Sequence, residues 1–342
     1  MSIKGRYFDF LAIPDRWQSW IPSAILRALI SIRRARPDAL LSTFPIASAH
    51  VVALALHRLT GIPWIADLRD PMDQITYPAD PRVRRAYRWI EERVFRHAQR
   101  VLVTTPGTAT LYRERYGLLA TEKLLLIPNG FDPETFPADF DSNTYRQRRC
   151  SEITSANPLT LLHSGQLYPS ERDPRPFFKA LSRIRDSNPE LLRDLRIVFR
   201  ATGHDQVYEP LIAQHRLNDL VILAPPIPYA DAIEEALAAD ALLIFQASNC
   251  DGQIPAKAYE CLYADRPILA FTSPLGDTGQ LLTSMGIDSI ATLESEDSIF
   301  EMLTTTLPRL RAGNATLPDK ASVARLSRKF RTAELADALA TL

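Results

Sequence analysis

Residues 38–68, DALLSTFPIASAHVVALALHRLTGIPWIADL, combine a strand, a helix and a second strand, and this order decides the fold. DALLSTF and IPWIADL are short apolar runs that predict buried strands. The stretch between them has the length of a helix and ends at Gly61, a residue type that often terminates helices. Two strands joined through a helix favour parallel pairing, so the stretch predicts an α/β domain.

The alternation of strands and helices continues along the chain and restarts after an interruption. The second half runs from LTLLHSG, which begins at residue 159, to PILAFT, the last predicted strand, and SVARLSRKFRTAELADALATL is predicted to form one terminal helix. Residues 137–157 lack apolar periodicity and form the predicted linker. The sequence therefore predicts two doubly wound domains, 1–142 and 143–342, with a cleft between them and the last helix returning to the first domain.

The composition is that of a globular protein and excludes several classes. A hydrophobic share of 46% with 23% charged residues rules out disordered, collagen-like and coiled-coil chains. The 40 basic and 40 acidic residues balance, so nucleic-acid binding is not expected. Residues 1–136 contain 19 basic and 13 acidic residues, a balance of +6. This asymmetry suits an anionic ligand or a lipid surface, or it reflects two ordinary solvated surfaces.

The sequence indicates a cytoplasmic protein with at most peripheral membrane contact. Its three cysteines, Cys150, Cys250 and Cys261, are too scattered for a disulfide framework or a zinc site. No secretion leader is visible, and no apolar run reaches the roughly 18 residues of a membrane span. Residues 17–36, WQSWIPSAILRALISIRRAR, combine tryptophans with arginines. They predict either a buried helix or one that rests on the inner face of the membrane or self-associates.

Two polar loops of the second half follow strands, where parallel sheets bind ligands. In HSGQLYPSERDPRP, Gly165 permits a tight turn and Arg172 has the charge to neutralise a diphosphate. In NCDGQIPAKAYECL, a helix opens whose free amides and dipole suit a phosphate. Lys257 and Glu260 lie three residues apart on one face of that helix, and the carboxylate suits ribose hydroxyls. Ordinary surface loops with a Lys–Glu pair are the alternative.

The first half offers a third constellation and a turn. Asp67, Arg69 and Asp70, in DLRDP, follow a strand and suit sugar hydroxyls or a leaving phosphate; a salt-bridged turn is the alternative. In IPNGFDPETF, Asn129 and Gly130 predict a structural turn with positive φ. No phosphate-loop, GxGxxG, GxSxG or HExxH motif occurs, and the histidines show no metal spacing.

Taken in order, these segments resemble the retaining glycosyltransferases of family 4, which have the GT-B fold of two Rossmann-like domains. The resemblance extends from about residue 14 to the end of the chain. It rests on PWIADLRDP, IEERVFRHAQRVLVTTPG, LLLIPNGFDPETF, HSGQLYPSERDPRP and IPAKAYECLYADRPILA. It implies that Glu260 holds the donor ribose and that Arg172 contacts the diphosphate. The other implied donor-binding residues are Gly165, Asp251, Gly252, Ile254, Pro255, Ala256 and Lys257, and the implied catalytic residues are Arg69, Asp70 and Asp67.

Two features depart from the family pattern. Many members carry a second glutamate eight residues before the ribose-binding one, where this chain has Gly252 beside Asp251. Members also begin with a strand, a glycine-rich loop and a long helix, whereas about three dozen residues precede DALLSTF here. We therefore expect an abbreviated N-terminal domain.

The resemblance implies an enzyme that moves a sugar from a nucleotide-diphosphate sugar, its co-substrate, to a glycan, lipid-linked or small-molecule acceptor in cell-surface polysaccharide synthesis. No cofactor and no metal ion are expected. A non-catalytic GT-B partner subunit or truncated inactive homologue is the main alternative, because the opening segment departs from the pattern. A nucleotide-sugar epimerase is a further alternative. The sugar, the base and the oligomeric state stay open.

Overall fold

The computed structural model describes residues 12–74, 77–137 and 153–340, which fall into two compact units. The first unit comprises Met1–Pro128 and Ala333–Leu342, and the second comprises Asn129–Thr332. Each contains one parallel sheet flanked by helices, which confirms the predicted α/β class. Most of the predicted linker, with Cys150 and the boundary after residue 142, lies outside the described residues.

The first unit is a parallel sheet whose strands lie side by side in chain order. Its strands are β1 Leu40–Thr43, β2 Trp64–Arg69, β3 Arg100–Val103 and β4 Leu124–Leu126. The helices described in this unit are α1 Ile21–Arg34, α2 Ala47–Thr60, α3 Pro81–His97, α4 Pro106–Tyr116 and α5 Leu118–Lys123. Among the described strands, β1 is at one edge of the sheet, and Leu41 in it is exposed.

The second unit is a parallel sheet of six strands in the order β10-β9-β8-β5-β6-β7. Its strands are β5 Leu159–Ser164, β6 Leu195–Arg200, β7 Val221–Ala224, β8 Ala241–Phe245, β9 Ile268–Phe271 and β10 Ile290–Ala291. Counted from β5, this is the Rossmann order 3-2-1-4-5-6. The order reverses between β5 and β8, and ligands of such sheets bind at the carboxyl ends of the strands there.

Helices cover both faces of this second sheet. The helices from residue 175 onwards are α6 Arg175–Ser187, α7 Asp205–Gln214, α8 Tyr229–Ala238, α9 Ala256–Tyr263, α10 Asp277–Ser284, α11 Glu296–Arg311, α12 Lys320–Ala324 and α13 Arg328–Ala340. A fully buried cluster of aromatic rings fills the core under α6, with Phe177 touching Phe199, Phe245 and Phe271. None of the helices among the described residues is long and apolar enough to cross a bilayer.

The single terminal helix predicted from the sequence is wrong. The chain forms α12 and α13 with a break between them, because the backbone there pairs with residue Phe131 instead of continuing the helix. The amide of Phe131 donates to the carbonyl of Leu326 over 3.3 Å, and the amide of Arg328 donates to the carbonyl of Phe131 over 2.7 Å. The part of α13 from Ala333 onwards belongs to the first unit.

Gly130 has a different role from the one predicted. Its φ is not positive, so the expected left-handed turn at Asn129–Gly130 does not form. A Cβ at Gly130 would instead lie 2.3 Å from the carbonyl oxygen of Leu326. The glycine is therefore needed for close backbone approach between residues 129–131 and residues 326–328.

Candidate functional site

The loops that follow β5 and β8 are tied together at the point where the strand order reverses. We call residues 165–174 and 246–255 the switch-point rim. The amide of Ala247 donates to the carbonyl of Glu171 over 2.7 Å, and the side-chain amide of Asn249 donates to the carbonyl of Ser170 over 3.0 Å. Two sequence segments about 80 residues apart thus form one polar surface in the second unit.

Lys257, in the first turn of α9, points to the end of β5. Its Nζ donates to Nε2 of His163 over 3.0 Å and to the carbonyl of Ser164 over 3.3 Å. Gly165, with a φ of 124°, makes room for this ammonium, since a Cβ there would lie 3.2 Å from Nζ. Burial, with a smaller contribution from the charge of Arg172, lowers the pKa of Lys257 to about 7.

Arg172 supplies a second positive charge at the switch-point rim. Its guanidinium donates to the carbonyl of Gln166 over 3.2 Å and lies 5.5 Å from the ring centroid of Tyr168. Among the described residues, neither Arg172 nor Lys257 forms an ion pair with a carboxylate. Two neighbouring cations without a paired anion are an arrangement that favours an anionic ligand.

Glu260 lies one turn further along α9 and is held by a tyrosine. The hydroxyl of Tyr229, the first residue of α8, donates to Oε1 of Glu260 over 2.7 Å. Burial and this carboxylate together raise the pKa of Tyr229. The other carboxylate oxygen, Oε2, is then the acceptor that a ligand hydroxyl can reach without moving the tyrosine.

A cavity of about 220 Å³ opens between α8, α9 and strands β5 and β8. Lys257, Glu260, Ser164 and Tyr229 form its polar part, and apolar side chains form the remainder. Those apolar residues are Phe136, Leu162, Ala232, Ile233, Ala236, Leu242, Leu243, Cys261 and Ala264. A cation, a carboxylate and an apolar interior side by side match a ligand with a phosphate, hydroxyls and a ring.

The remaining predicted donor residues lie before α9, and the structure divides them. Ile254 is buried in the core, so its side chain has a packing role. Pro255 is the N-cap residue and carries no amide hydrogen, so the open donors of this helix begin at Ala256 and Lys257. Gly252 is exposed in the turn before the helix.

Asp251 begins the same turn and faces the start of α10. Its Oδ1 is buried without a hydrogen-bond partner among the described residues, and burial raises its pKa. A Cβ at Gly276 would lie 2.8 Å from this oxygen, so the side chain packs against the Gly276 backbone.

The three first-unit residues gather at the carboxyl end of β2. Asp67 accepts a hydrogen bond from Oγ1 of Thr43 over 2.9 Å, and burial raises the pKa of both Asp67 and Asp70. Arg69 has a φ of 52°, and the register with β3 shifts between Asp67 and Arg69. A strained residue beside two protonatable carboxyls is typical of a functional site.

One buried carboxylate that organises the next loop escaped the sequence analysis. Glu91, on α3, accepts from the amides of Met72 and Asp73 over 3.0 and 3.3 Å. It also accepts from the guanidinium of Arg115 over 2.7 Å and from the hydroxyls of Tyr112 and Tyr116 over 2.9 Å. Its side chain is fully buried. This carboxylate therefore anchors the loop that begins with Asp70 and Pro71.

A signal for Glu91 was present in the sequence. The apolar face of α3 contains Tyr87, Ile90 and Val94, and Glu91 is four residues after the first and three before the last. A glutamate on the apolar face of a helix is a candidate for a buried carboxylate.

No group of three or more His, Cys, Asp or Glu side chains in the described residues could hold a metal ion.

Comparison with protein families gives one match. Residues 5–130 match the family described as Glycosyl transferase 4-like domain. The matched region contains PWIADLRDP and IEERVFRHAQRVLVTTPG, and the match confirms the resemblance based on these segments. Among curated proteins, none matches the sequence.

Several solved structures share the fold. Sucrose-phosphate synthase of Thermosynechococcus elongatus is 12% identical with a TM-score of 0.68, over 94% of this chain and 78% of that one. HepE of Anabaena, solved with UDP, is 15% identical with a TM-score of 0.69, over 96% and 84%. A glycosyltransferase of Rickettsia africae is 12% identical with a TM-score of 0.66, over 99% and 83%. These similarities confirm the expected GT-B fold.

Proposed function

We propose that this chain is a glycosyltransferase of the GT-B type that transfers a sugar from a UDP-sugar to a glycan or lipid-linked acceptor. Its glycosyl transferase 4-like domain spans residues 5–130, and its reaction in this proposal belongs to cell-surface polysaccharide synthesis. The observation that carries the proposal is the pair of cations, Lys257 and Arg172, beside Glu260 and an open cavity. HepE, which has the same fold, is solved with UDP, and this supports UDP as the first nucleotide to test.

In this proposal the second unit binds the donor. The diphosphate lies against Lys257, Arg172 and the opening amides of α9, and the ribose donates to Glu260. The same cations stabilise the negative charge that builds up on the departing diphosphate, which is where electrostatic catalysis acts most strongly. The enzyme contributes mainly by positioning the reactants, and no cofactor is needed for such a transfer.

The first unit then supplies residues for the acceptor. Asp67 and Asp70 have raised pKa values because they are partly buried, and a carboxylate with a raised pKa is a better proton acceptor for a sugar hydroxyl. Arg69 provides a positive charge next to them. Glu91 fixes the loop after Asp70 by accepting hydrogen bonds from the amides of Met72 and Asp73.

Binding measurements test the donor site directly. We expect UDP to bind the wild-type protein, and Arg172→Ala to weaken UDP about tenfold through loss of a charged contact to phosphate. Uridine, which lacks the phosphates, should change less than about twofold. Arg193→Ala, at an exposed arginine paired with Glu190, is the control and should leave both affinities unchanged. Equal losses for UDP and uridine would contradict the assignment, as would no UDP binding at all.

Turnover measurements separate this function from the alternatives. We expect UDP to be released from at least one UDP-sugar when oligosaccharide or lipid-linked acceptors are added. A non-catalytic subunit would bind UDP without releasing it from any sugar. An epimerase would convert a UDP-sugar without an acceptor.

We also propose that the chain works at the inner face of the cytoplasmic membrane, through α1 and the turn before it. Trp17 and Trp20 are 48% and 46% exposed, and Leu26 and Ile30 on α1 are exposed as well. From residue 16 to 36 the chain has five arginines and no acidic residue. Exposed apolar side chains among arginines complement an anionic lipid surface, which suits a lipid-linked acceptor.

Vesicle flotation tests this contact. We expect the wild-type protein to float with vesicles that contain about 30% phosphatidylglycerol. With vesicles of phosphatidylcholine alone it should remain in the bottom fraction. Trp20→Ser should reduce the floating fraction severalfold, because an interfacial aromatic anchor is lost. Trp89→Ser, at a tryptophan that is 43% exposed on α3, is the matched control. Equal flotation of both variants would rule out α1 as the contact.

A further inference from the structure

Lys257 and His163 form a partly enclosed pair whose hydrogen-bond geometry has a consequence for ligand binding. Nδ1 of His163 lies 3.0 Å from the carbonyl of Leu243, which can only accept, so Nδ1 carries the ring hydrogen. Nε2 is then a lone-pair acceptor for the Nζ of Lys257 at 3.0 Å. The ring is fully buried, and burial holds the pKa of His163 well below its ordinary value. His163 is therefore a fixed, neutral acceptor.

The surroundings of Lys257 leave its charge poorly compensated. From β5 it faces neutral His163, from the switch-point rim it faces the guanidinium of Arg172, and on its own helix it faces Glu260 and Cys261. Burial raises the pKa of Cys261 to about 12, so this thiol stays neutral. Glu260 is the one carboxylate in this set, and its Oε1 already accepts from Tyr229. The ammonium thus lacks a close anionic partner.

We propose that Lys257 and His163 form a proton-linked anion site, in which a nucleoside diphosphate takes up one proton through Lys257 as it binds. The inference rests on the proposed function, because it takes a nucleoside diphosphate as the ligand. It adds that donor affinity depends on pH through a single lysine and that His163 positions this lysine.

The affinity for the diphosphate falls with rising pH because the pKa of Lys257 differs between the free and the bound protein. In the free protein Lys257 has a pKa of about 7, so at pH 8 its side chain is neutral in about nine of ten molecules. A diphosphate in contact with Nζ favours the charged form and raises the pKa of Lys257. Binding at pH 8 therefore consumes about 0.9 proton, and affinity falls up to about tenfold for each pH unit above 7.

Calorimetry in buffers of different ionisation enthalpy counts these protons. We expect about 0.9 proton taken up per UDP at pH 8, where UDP itself is fully ionised. Inorganic pyrophosphate should also bind and should lose affinity in Lys257→Met, because Lys257 contacts the phosphates. Lys257→Met should abolish the uptake and flatten the pH dependence. Lys179→Met, at an exposed lysine on α6, is the matched control and should retain both.

His163 is tested as a positioning residue by the midpoint of the pH dependence. Without an acceptor at Nε2 the ammonium is less stabilised, so His163→Leu should move the midpoint of UDP affinity below pH 7. His163→Gln keeps an acceptor oxygen and should restore the midpoint. The chain has six lysines, so carbon-13 labelled lysine side chains can report the titration of Lys257 by NMR without any ligand.

The outcomes distinguish failure of the proton link from failure of the proposed donor binding. UDP that binds without proton uptake, or with the same uptake in Lys257→Met, overturns the proton link while the donor site stands. An unchanged midpoint in His163→Leu overturns the role of His163. If neither UDP nor pyrophosphate binds the wild-type protein, the proposed function fails and the proton link fails with it.

Discussion

Replacement of Glu91 by alanine is expected to lower the free energy of unfolding of this protein by about 3–5 kcal/mol. The carboxylate is fully buried and accepts five hydrogen bonds, one of them from Arg115. Its removal leaves the guanidinium of Arg115 and the hydroxyls of Tyr112 and Tyr116 without their acceptor. Uncompensated buried polar groups are among the most costly defects in a folded protein.

Chemical denaturation followed by tryptophan fluorescence measures this loss. The neighbouring Glu92→Ala is the matched control, because Glu92 is 56% exposed and lies 4.0 Å from Arg93. We expect Glu92→Ala to change the free energy of unfolding by less than about 0.5 kcal/mol. Similar stabilities of the two variants would show that the network around Glu91 contributes little.

The same substitution has a consequence for the loop after β2. Met72 and Asp73 lose the acceptor of their amides, and the carbonyl of Asp73 stays bonded to an unanchored Arg115. Hydrogen exchange at the amides of Met72 and Asp73 should accelerate in Glu91→Ala more than exchange in β5.

The Glu260→Gln variant is expected to weaken UDP binding at least about tenfold. A carboxylate accepts hydrogen bonds on both oxygens, here from Tyr229 on Oε1 and from ribose on Oε2. The glutamine amide turns one of these acceptors into a donor, so either Tyr229 or the ribose loses its partner. The fold should be unaffected, because Glu260 lies at the wall of the cavity and not in the core.

Titration with UDP and with pyrophosphate distinguishes the roles of neighbouring residues. Glu260→Gln should weaken UDP but leave pyrophosphate within about twofold, because the carboxylate contacts only the ribose. Glu301→Gln, at an exposed position of α11, is the control and should change neither. Equal weakening of both ligands would mean that Glu260 acts through Lys257 and not through the ribose.

Local patterns of the sequence were sufficient for most of the fold. Apolar runs such as ALLIF and amphipathic stretches such as the one in α3 indicated strands and helices without any knowledge of their neighbours, since periodicity is a property of adjacent residues. The shared face of Lys257 and Glu260 followed in the same way from helical spacing. The two-residue strand β10 was missed because so short a stretch has no period to recognise.

Contacts between distant parts of the chain decided what the sequence alone could not. The terminal helix is interrupted because Phe131 pairs with Ser327, and Gly130 is required because Leu326 approaches it. Lys257 meets His163, which is 94 residues away, only because β5 and α9 adjoin at the reversal of strand order. Glu91 is buried because Arg115 and the chain at Met72 converge on it. Spacing along a helix determines which side chains share a face. The packing of whole helices and strands determines which side chains become buried and which form hydrogen bonds with each other.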